Sequence, residues 1–357
     1  MWDERASRLR REITQLAAAG LGASELHAAA IELVGRTVSS ELTCWATIDP
    51  ETRVISSMVS GENRIPPEYE PRLAEAEYSS DEPHSFATLA RDGVTLARLS
   101  ELSAADRRRS TRLHTIWRPL GLDEELRVMF RADGVCWAAA GMVRAGADFT
   151  ARETEFLTAV APAIGSATRL AVRAEARGGA GPGRPAVVII GSDGRLQGVT
   201  PDAREWQDRL EAIAPGRFRV MMQVMASGSR SSESGYFRAR LRDADGQWAI
   251  LQASTLLGGE DHQVAVAIEP VTGDQLVGLM LVAYELSARE REICREVIGG
   301  HPTTEIANHL FISVHTVQDH LKSVFAKVGV RSRGELVARL RPDNPEAFTT
   351  DRQFARL

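Results

Sequence analysis

The chain has 357 residues, of which 43% are hydrophobic and 25% charged, with a formal net charge of −5 at pH 7. This length favours two or three domains, each able to bury a core. The acidic balance excludes non-specific coating of nucleic acid through overall charge, so any DNA contact must be local.

Cysteine content and hydropathy further restrict the class of protein that the sequence can encode. Three widely separated cysteines provide neither a disulfide framework nor a zinc site, and we expect Cys44, Cys136 and Cys294 to be core residues. The charged N-terminus lacks the apolar core of a signal peptide, and the longest apolar stretch, 276–284, is too short to span a bilayer. We therefore expect a cytoplasmic protein without a membrane partner.

Residues 1–176 predict a first α/β domain. Two helices open it, because apolar residues recur there at helical spacing. The predicted strands cover residues 43–49, 54–61, 126–130 and 135–143. Residues 132–134 (Ala-Asp-Gly) predict a hairpin turn between the last two strands. Thr150 and Glu153 fit a capping box that starts a long closing helix.

A second α/β domain is predicted at 186–272, after a linker at 177–185. The linker is rich in glycine and proline, but it follows a helix and opens a strand, which is the wrong context for a phosphate-binding loop. The second domain begins with strand, turn and strand, continues with a helix near 206–213, and closes with three strands. Asp245-Gly246 predicts one of its hairpin turns.

The C-terminal region predicts a connector helix at 273–285, four short helices within 286–341, and a tail at 342–357. Ser287 with Glu290, and Ser332 with Glu335, fit capping boxes for the first and fourth of these helices. Ser313 is suited to cap the third helix, and Gly329 to end it. The connector helix is interpreted equally well as a dimer contact or as a core helix.

The third helix has two unlike sides when each residue is rotated by about 100°. Its apolar side consists of Val317, Leu321, Val324 and Val328, with His320 at the edge. Its opposite side carries His315, Gln318, Asp319 and Lys322. One side is therefore committed to a core, and the other presents donors and acceptors of mixed sign.

Such a mixed side suits the major groove, where base edges display both donors and acceptors. Gln318, Asp319 and Lys322 are the candidate base-reading residues. The candidate phosphate contacts are Ser313, His315, Thr316, Lys327, Arg331 and Arg333. The segment from Ser313 to Arg333 has four basic residues and one acidic residue, a local surplus inside an acidic chain. A solvated face of an ordinary helical bundle is the alternative interpretation.

The segment 286–337 resembles the LuxR-type helix-turn-helix domain of bacterial transcription regulators. The motifs that carry the resemblance are Thr316-Val317, His320 and the run Lys327 to Arg333. The resemblance implies that the third helix is a recognition helix, with Gln318 where the family usually has a basic residue. It also implies dimerisation through the last helix, with Glu335, Leu336, Arg339 and Leu340 as candidate contacts. The first domain is similar to GAF domains, and the second is similar to PAS-type domains.

These features predict an α+β multi-domain protein with a GAF-like domain, a PAS-like domain and an all-α four-helix LuxR-type domain. The expected function is DNA-binding transcription regulation, with double-stranded promoter DNA as partner and a homodimer as the binding form. Nucleotide, zinc and serine-hydrolase motifs are absent from the sequence, so no enzyme activity, cofactor or metal is expected. A small-molecule ligand of the GAF-like domain and contact with RNA polymerase remain open. The alternatives are an interaction module that titrates another regulator without binding DNA, and a signalling enzyme.

Overall fold

In the computed structural model of the protein, the described residues are 2–79, 81–176, 185–212, 216–243, 248–257, 263–271 and 273–341. The chain divides into two compact units. The first, called the sheet unit, comprises Met1–Val172 and Pro182–Pro270; the second, called the helical unit, comprises Arg173–Gly181 and Val271–Leu357. Among the described residues, no helix has the length and apolar character needed to cross a membrane.

The sheet unit begins with a sheet of five antiparallel strands. These are β1 (Leu42–Ile48), β2 (Ile55–Ser60), β3 (Leu96–Arg98), β4 (Glu124–Ala132) and β5 (Val135–Arg144), in the order β2-β1-β5-β4-β3. Asp133 and Gly134 join β4 to β5 with φ values of 50° and 77°, and positive φ at both positions is required by a type I′ turn. The four predicted strands and their hairpin are confirmed. The edge strand β3 was not predicted, because three residues are too few to show alternation.

Helices cover both faces of this sheet. They are α1 (Trp2–Ala18), α2 (Ala23–Gly35), α3 (Glu70–Tyr78), α4 (Phe86–Arg91), α5 (Ala104–Arg109) and α6 (Ala151–Glu175). Trp45 of β1 packs against Phe130 at 4.7 Å between ring centroids, and edge-on against His27 of α2. The next residue, Ala46, belongs to a separate core with Phe86 of α4. Successive β1 side chains therefore serve opposite faces, as the strand period of two requires.

The predicted capping box at the start of α6 is confirmed. The amide of Thr150 donates to the Glu153 carboxylate at 2.7 Å, and the amide of Glu153 donates to Thr150 Oγ1 at 3.3 Å. Further along α6, Gly165 allows a close approach, since a Cβ there would lie 2.5 Å from the carbonyl oxygen of Arg131 in β4. This contact packs the helix against the sheet.

A second antiparallel sheet completes the sheet unit. Its strands are β6 (Ala186–Ile190), β7 (Leu196–Val199), β8 (Tyr236–Arg242), β9 (Trp248–Thr255) and β10 (Val264–Pro270), in the order β7-β6-β10-β9-β8. Counted from each sheet's own first strand, this order is the same as in the first sheet. Two helices, α7 (Pro201–Glu211) and α8 (Arg217–Ser231), share its core. Residues 177–184 of the predicted linker (177–185) and the Asp245-Gly246 turn lie outside the described residues.

Helix α8 was not predicted, although Phe218, Met221, Met222 and Met225 lie at helical spacing and are buried. It packs on the second sheet and also against α3. Elements of the first sheet complete the same core, where Tyr78 of α3 contacts Phe237 of β8 edge-on at 5.4 Å. Arg240 of β8 forms a buried ion pair with Asp49 at 2.7 Å. The two sheets are thus joined by a shared core and a buried charge pair.

The helical unit contains five helices among its described residues. They are α9 (Gly273–Ala283), α10 (Ala288–Ile298), α11 (Thr303–His309), α12 (Val314–Val328) and α13 (Arg333–Leu340). Leu276, Leu279 and Met280 of α9 are almost fully buried, which favours the core interpretation of the connector helix over an exposed dimer contact. The predicted tail at 342–357 lies outside the described residues.

The cap predictions in this unit are confirmed with one exception. Ser287 and Glu290 form a reciprocal capping box, Ser313 caps α12, and Gly329 ends it in the left-handed conformation. At α13, Ser332 accepts the amide of Glu335 at 3.1 Å, but the Glu335 carboxylate accepts the amide of Arg331 at 2.8 Å. The predicted reciprocal box at Ser332 is therefore wrong, because the carboxylate reaches one residue beyond the cap.

The cysteines have elevated pKa values. Cys136 and Cys294 are buried, as predicted, and burial raises the pKa of their thiols to about 11 and about 12. Cys44 is half-buried, and desolvation raises its pKa to about 11. All three thiols are therefore protonated at neutral pH and poorly nucleophilic.

Candidate nucleic-acid interface

The apolar side of α12 packs into the core of the helical unit and sets the orientation of the helix. Val317, Leu321, Val324 and Val328 are between 0% and 7% exposed, so the predicted apolar side is confirmed. His320 lies at its edge and is half-buried. The opposite side must then face outward along the full length of the helix.

That outward side carries the three predicted base-reading residues. Gln318, Asp319 and Lys322 are all exposed. Lys322 Nζ donates to Asp319 Oδ1 at 3.1 Å, and the hydrogen bond from Lys322 lowers the pKa of Asp319. His315 Nε2 lies 3.4 Å from Asp319 Oδ2. Donors and acceptors of both signs are thus presented together on one accessible surface.

The N-terminus of α12 is shaped by Ser313. Its Oγ accepts the amide of Thr316 at 3.0 Å and lies 2.8 Å from Thr316 Oγ1. The remaining first-turn amides have no acceptor within the helix. Ser313 and His315 are exposed beside them, and Thr316 is half-buried. An anion placed here would meet amide donors and the positive end of the helix dipole.

The turn before α12 is a Schellman motif. The amide of Ile312 donates to the Ala307 carbonyl at 3.0 Å, and that of Phe311 donates to the Asn308 carbonyl at 3.3 Å. Phe311 occupies the left-handed position with φ 53°, and its side chain is 94% exposed. Arg289 of α10 donates to the carbonyl of Leu310 and supports the turn. The helix-turn-helix geometry therefore rests on backbone bonds rather than on a glycine.

Glu290 fastens α12 to α10. This carboxylate is 4% exposed; it accepts from Lys327 Nζ at 2.7 Å and from Ser323 Oγ at 2.6 Å. Burial alone would raise the pKa of Glu290, but these hydrogen bonds and that from the Ser287 amide outweigh it and lower the pKa to about 2. From the sequence, only a capping role was predicted for Glu290, because residue spacing does not indicate a partner 37 residues away.

Two of the predicted phosphate contacts have partners inside the unit. Lys327 Nζ binds Glu290 and also donates to the Glu285 carbonyl at 3.2 Å. Arg333 donates to Thr303 Oγ1 at 3.3 Å and to the His301 carbonyl. The side chain of Arg331, by contrast, is exposed. The structure brings Ser313, His315 and Thr316 together with the base-reading side, and ties Lys327 and Arg333 into the fold.

Helix α13 divides the four predicted dimer residues. Leu336 and Leu340 are 0% exposed and pack within the protein, whereas Glu335 and Arg339 are exposed. Because a buried leucine cannot contact a second copy without unfolding, only the two charged residues are accessible to a partner.

One group of side chains has the composition of a metal site. Glu296, His301 and His309 bring one donor atom each within 4.8 Å of one another. Both imidazoles already contact the same carboxylate oxygen of Glu296 through Nδ1, at 3.0 and 2.8 Å. The His309 hydrogen bond ties the end of α11 to α10, so the group has a structural role without an ion.

A helix-turn-helix pair in the helical unit, in one chain with a two-sheet unit, defines an α+β protein with a C-terminal helix-turn-helix. Residues 284–340 match the family model described as bacterial regulatory proteins, luxR family. Spore germination protein GerE of Bacillus subtilis (strain 168) is 40% identical over 55 residues, which cover 15% of this chain and 74% of GerE. Through this C-terminal domain, the chain belongs to the luxR family of bacterial regulatory proteins.

Other relatives match a larger part of the chain at lower identity. A Mycobacterium bovis protein named as an HTH-type transcriptional regulator is 27% identical over 168 residues, which are 43% of this chain and 19% of that protein. The chain therefore spans about a fifth of the length of this relative. A structure of the Vibrio cholerae VqmA dimer is 14% identical, covers 44% of this chain and 81% of its own, and superposes with a TM-score of 0.19. That score is too low to support a shared arrangement.

Proposed function

We propose that this protein is a DNA-binding transcription regulator that reads double-stranded promoter DNA by placing α12 in the major groove. The observation that carries the proposal is the two-sided character of α12. Its apolar side is buried, while Gln318, Asp319 and Lys322 remain exposed on the other side. An α-helix fits the major groove, where such side chains can discriminate base pairs.

The proposed roles follow the chemistry of each group. Lys322 donates to guanine O6 and N7, Gln318 bonds adenine, and Asp319 accepts from cytosine N4. Ser313, His315 and Thr316 contact a phosphate at the helix N-terminus, and Arg331 contacts another. Lys327 and Arg333 remain proposed phosphate contacts, but each would have to share its donors with its present intramolecular partners.

A homodimer is the proposed binding form, because two copies of a helix-turn-helix read two half-sites one helical turn apart. Glu335 and Arg339 of α13 are exposed and opposite in charge, so they can pair reciprocally across a two-fold axis. We also propose a cytoplasmic location, since bacterial promoter DNA lies in the cytoplasm. Contact with RNA polymerase belongs to the same proposal.

The sheet unit is proposed to be the sensory region, with a GAF-like domain at 1–176, a linker at 177–185 and a PAS-like domain at 186–272. The shared strand order of its two sheets supports two related modules. A connector at 273–285 leads to the DNA-binding domain at 286–341. A signal that favours one state of the sensory modules shifts the population of DNA-binding-competent dimers.

The direct test is duplex binding by the full chain on fragments recovered from the genome. We expect affinity to fall steeply with salt, because phosphate contacts release counterions. Lys322→Ala should weaken specific binding by about 1–3 kcal/mol and relax preference at one base pair. Arg331→Ala should weaken all duplexes alike.

Arg295→Ala is the matched control, since it removes an exposed positive charge from α10 rather than α12. It should leave sequence preference unchanged. Binding that is insensitive to salt, or wild-type footprints from both Lys322→Ala and Arg331→Ala, would contradict the proposal. The absence of any duplex binding would instead favour a module that titrates another regulator without touching DNA.

A further inference from the structure

A cavity of about 370 Å³ lies within the sheet unit. Its walls come from α2, β1, β2, α3, β5 and α8, and they are mostly apolar. Representative lining side chains are Ile55, Met58, Leu73, Val143, Met221 and Val224. Small-molecule sites usually have volumes of about 300–1,000 Å³. The cavity therefore has room for a small organic molecule with an apolar body.

Arg217, the first residue of α8, lines this cavity and is only 7% exposed. Its Nη1 donates to the carbonyl of Met58 at 3.2 Å. Its Nε and Nη2 are buried and have no hydrogen-bond partner among the described residues. Burial lowers the pKa of Arg217 to about 10, which still leaves the guanidinium charged at neutral pH. A buried cation without a counter-ion is costly, because nothing replaces its lost hydration.

The acidic groups around the cavity are already engaged. Glu77 accepts from Arg127 at 2.7 Å, and Glu125 accepts from Arg127 at 3.0 Å. Glu70 is paired with Arg219, and Glu25 accepts a backbone amide at 3.1 Å. Each lining carboxylate thus accepts a hydrogen bond from another group, and none of these bonds comes from Arg217.

The unpartnered atoms also indicate the shape of that group. Nε–H and Nη2–H lie on the same edge of the guanidinium and point in nearly parallel directions. Two parallel donors match the two oxygens of a carboxylate, the bidentate geometry in which arginine binds most strongly. A neutral ligand with one acceptor would satisfy only one of them.

Tyr78 supplies a second polar group on the wall. Its hydroxyl oxygen accepts the amide of Ile55 at 3.2 Å, which leaves the hydroxyl hydrogen free to donate. Burial raises the pKa of Tyr78, so this hydrogen is retained at neutral pH. Arg217 and Tyr78 therefore each line the cavity with a donor that has no acceptor among the described residues.

We propose that this cavity binds a small organic anion, a carboxylate with an apolar body, and that Arg217 is its counter-ion. The site joins α8 of the second sheet to β2 and α3 beside the first, so a ligand stabilises the contact between them. This ligand site rests on the proposed function only where the ligand is treated as the signal for DNA binding. Binding of the ligand does not itself depend on DNA recognition.

The test uses octanoate as probe on the full chain, with calorimetry as readout. Octanamide has the same apolar body without the charge, and acetate has the charge without the body. We expect octanoate to bind at least tenfold more tightly than either. Equal affinities for octanoate and octanamide would overturn the proposal. So would tight binding of acetate or inorganic phosphate, which would indicate a simple anion site.

Two variants and a control assign the effect to the site. Arg217→Met should abolish the preference for octanoate over octanamide while retaining octanamide binding, which also shows that the cavity is still formed. Val59→Phe fills the cavity with Arg217 intact and should weaken both ligands. Arg204→Met changes an exposed arginine of α7 that does not line the cavity, and it should retain the preference. A preference that survives Arg217→Met would refute the assignment.

Duplex binding measured in the same preparations separates the two proposals. Octanoate selectivity without DNA binding contradicts the proposed function alone. DNA binding without octanoate selectivity contradicts the ligand site alone.

Discussion

Replacing Glu290 by glutamine tests what holds α12 in place. The substitution keeps the size of the side chain and one acceptor oxygen, but it removes the negative charge that Lys327 and Ser323 face. We expect α12 to open more readily while its own hydrogen bonds stay intact, because the affected contacts lie between α12 and α10 and in the capping box of α10.

The magnitude follows from the pKa of Glu290, which is lowered from 4.5 to about 2. At about 1.4 kcal/mol per pKa unit, the native contacts favour the carboxylate by about 3 kcal/mol. Because the Lys327 side chain is 37% exposed, solvent screens part of this energy, and we expect a loss of about 2 kcal/mol. The contribution is complete above pH 4.5 and declines as the pH falls towards 2, since a depressed carboxyl pKa stabilises only the ionised state.

The assay must report on α12 alone. All six tryptophans precede residue 271, so intrinsic tryptophan fluorescence follows the sheet unit and not the helical unit. Hydrogen exchange measured on peptides from 314–328 is the suitable readout. A loss of about 2 kcal/mol accelerates exchange through opening by about 30-fold, since each 1.4 kcal/mol is a factor of ten.

Glu292→Gln is the control, because it removes a carboxylate from the same helix whose Arg289 partner is 33% exposed. It should change exchange in 314–328 by less than about threefold, as expected for an exposed pair. If Glu290→Gln gave no more acceleration than Glu292→Gln, the buried pair would not be what holds α12 in place.

Three further substitutions test the packing and the turn. His27 is fully buried and bonds Thr168 Oγ1 at 2.9 Å, and burial lowers its pKa to about 4. The unfolded state therefore binds more protons than the folded state between pH 6.5 and 4. The free energy of unfolding should decrease by about 3 kcal/mol as the pH is lowered across that window. His27→Gln should remove this dependence in tryptophan-monitored unfolding. Phe311→Gly should stabilise the helical unit by about 0.5–1 kcal/mol. The left-handed conformation costs an L-residue about 1–2 kcal/mol, and the larger backbone entropy that glycine loses on folding offsets part of the gain. Slower hydrogen exchange in α11 would show the stabilisation. Gly165→Ala should destabilise the sheet unit by about 1–3 kcal/mol through overpacking, whereas Gly35→Ala, which meets nothing within 4 Å, should not.

The sequence predicted most elements whose signals are local. Caps at Ser287 and Ser313, the hairpin at Asp133-Gly134 and the apolar stripe of α12 depend on residues within a few positions of one another, and all are confirmed. The α+β class and the exposed side of α12 follow from the same patterns. Helix α8 was missed, although its methionines lie at helical spacing.

The parts that were not predicted depend on contacts distant in sequence. His27 lies on an apolar helix, and only its approach to α6, 141 residues away, shows that it is a buried neutral base. The cavity draws its walls from residues 24 to 224, and Arg217 is ordinary in sequence until burial leaves its Nε and Nη2 without partners. Burial and pairing between distant residues depend on how the helices and strands pack together. The spacing of residues along the sequence does not predict that packing.

The two lysines of α12 show that burial determines which of two lysine–carboxylate pairs can open to contact DNA. Both pair with a carboxylate, Lys322 with Asp319 at 3.1 Å and Lys327 with Glu290 at 2.7 Å, and the sequence assigned both to DNA. The first pair is well exposed, so opening it to reach a base costs about 1 kcal/mol or less. The second includes a carboxylate that is 5% exposed, so releasing the lysine would leave a buried charge unpaired. In the proposed function, the exposed pair can open when α12 enters the groove, and the buried pair holds the helix against α10.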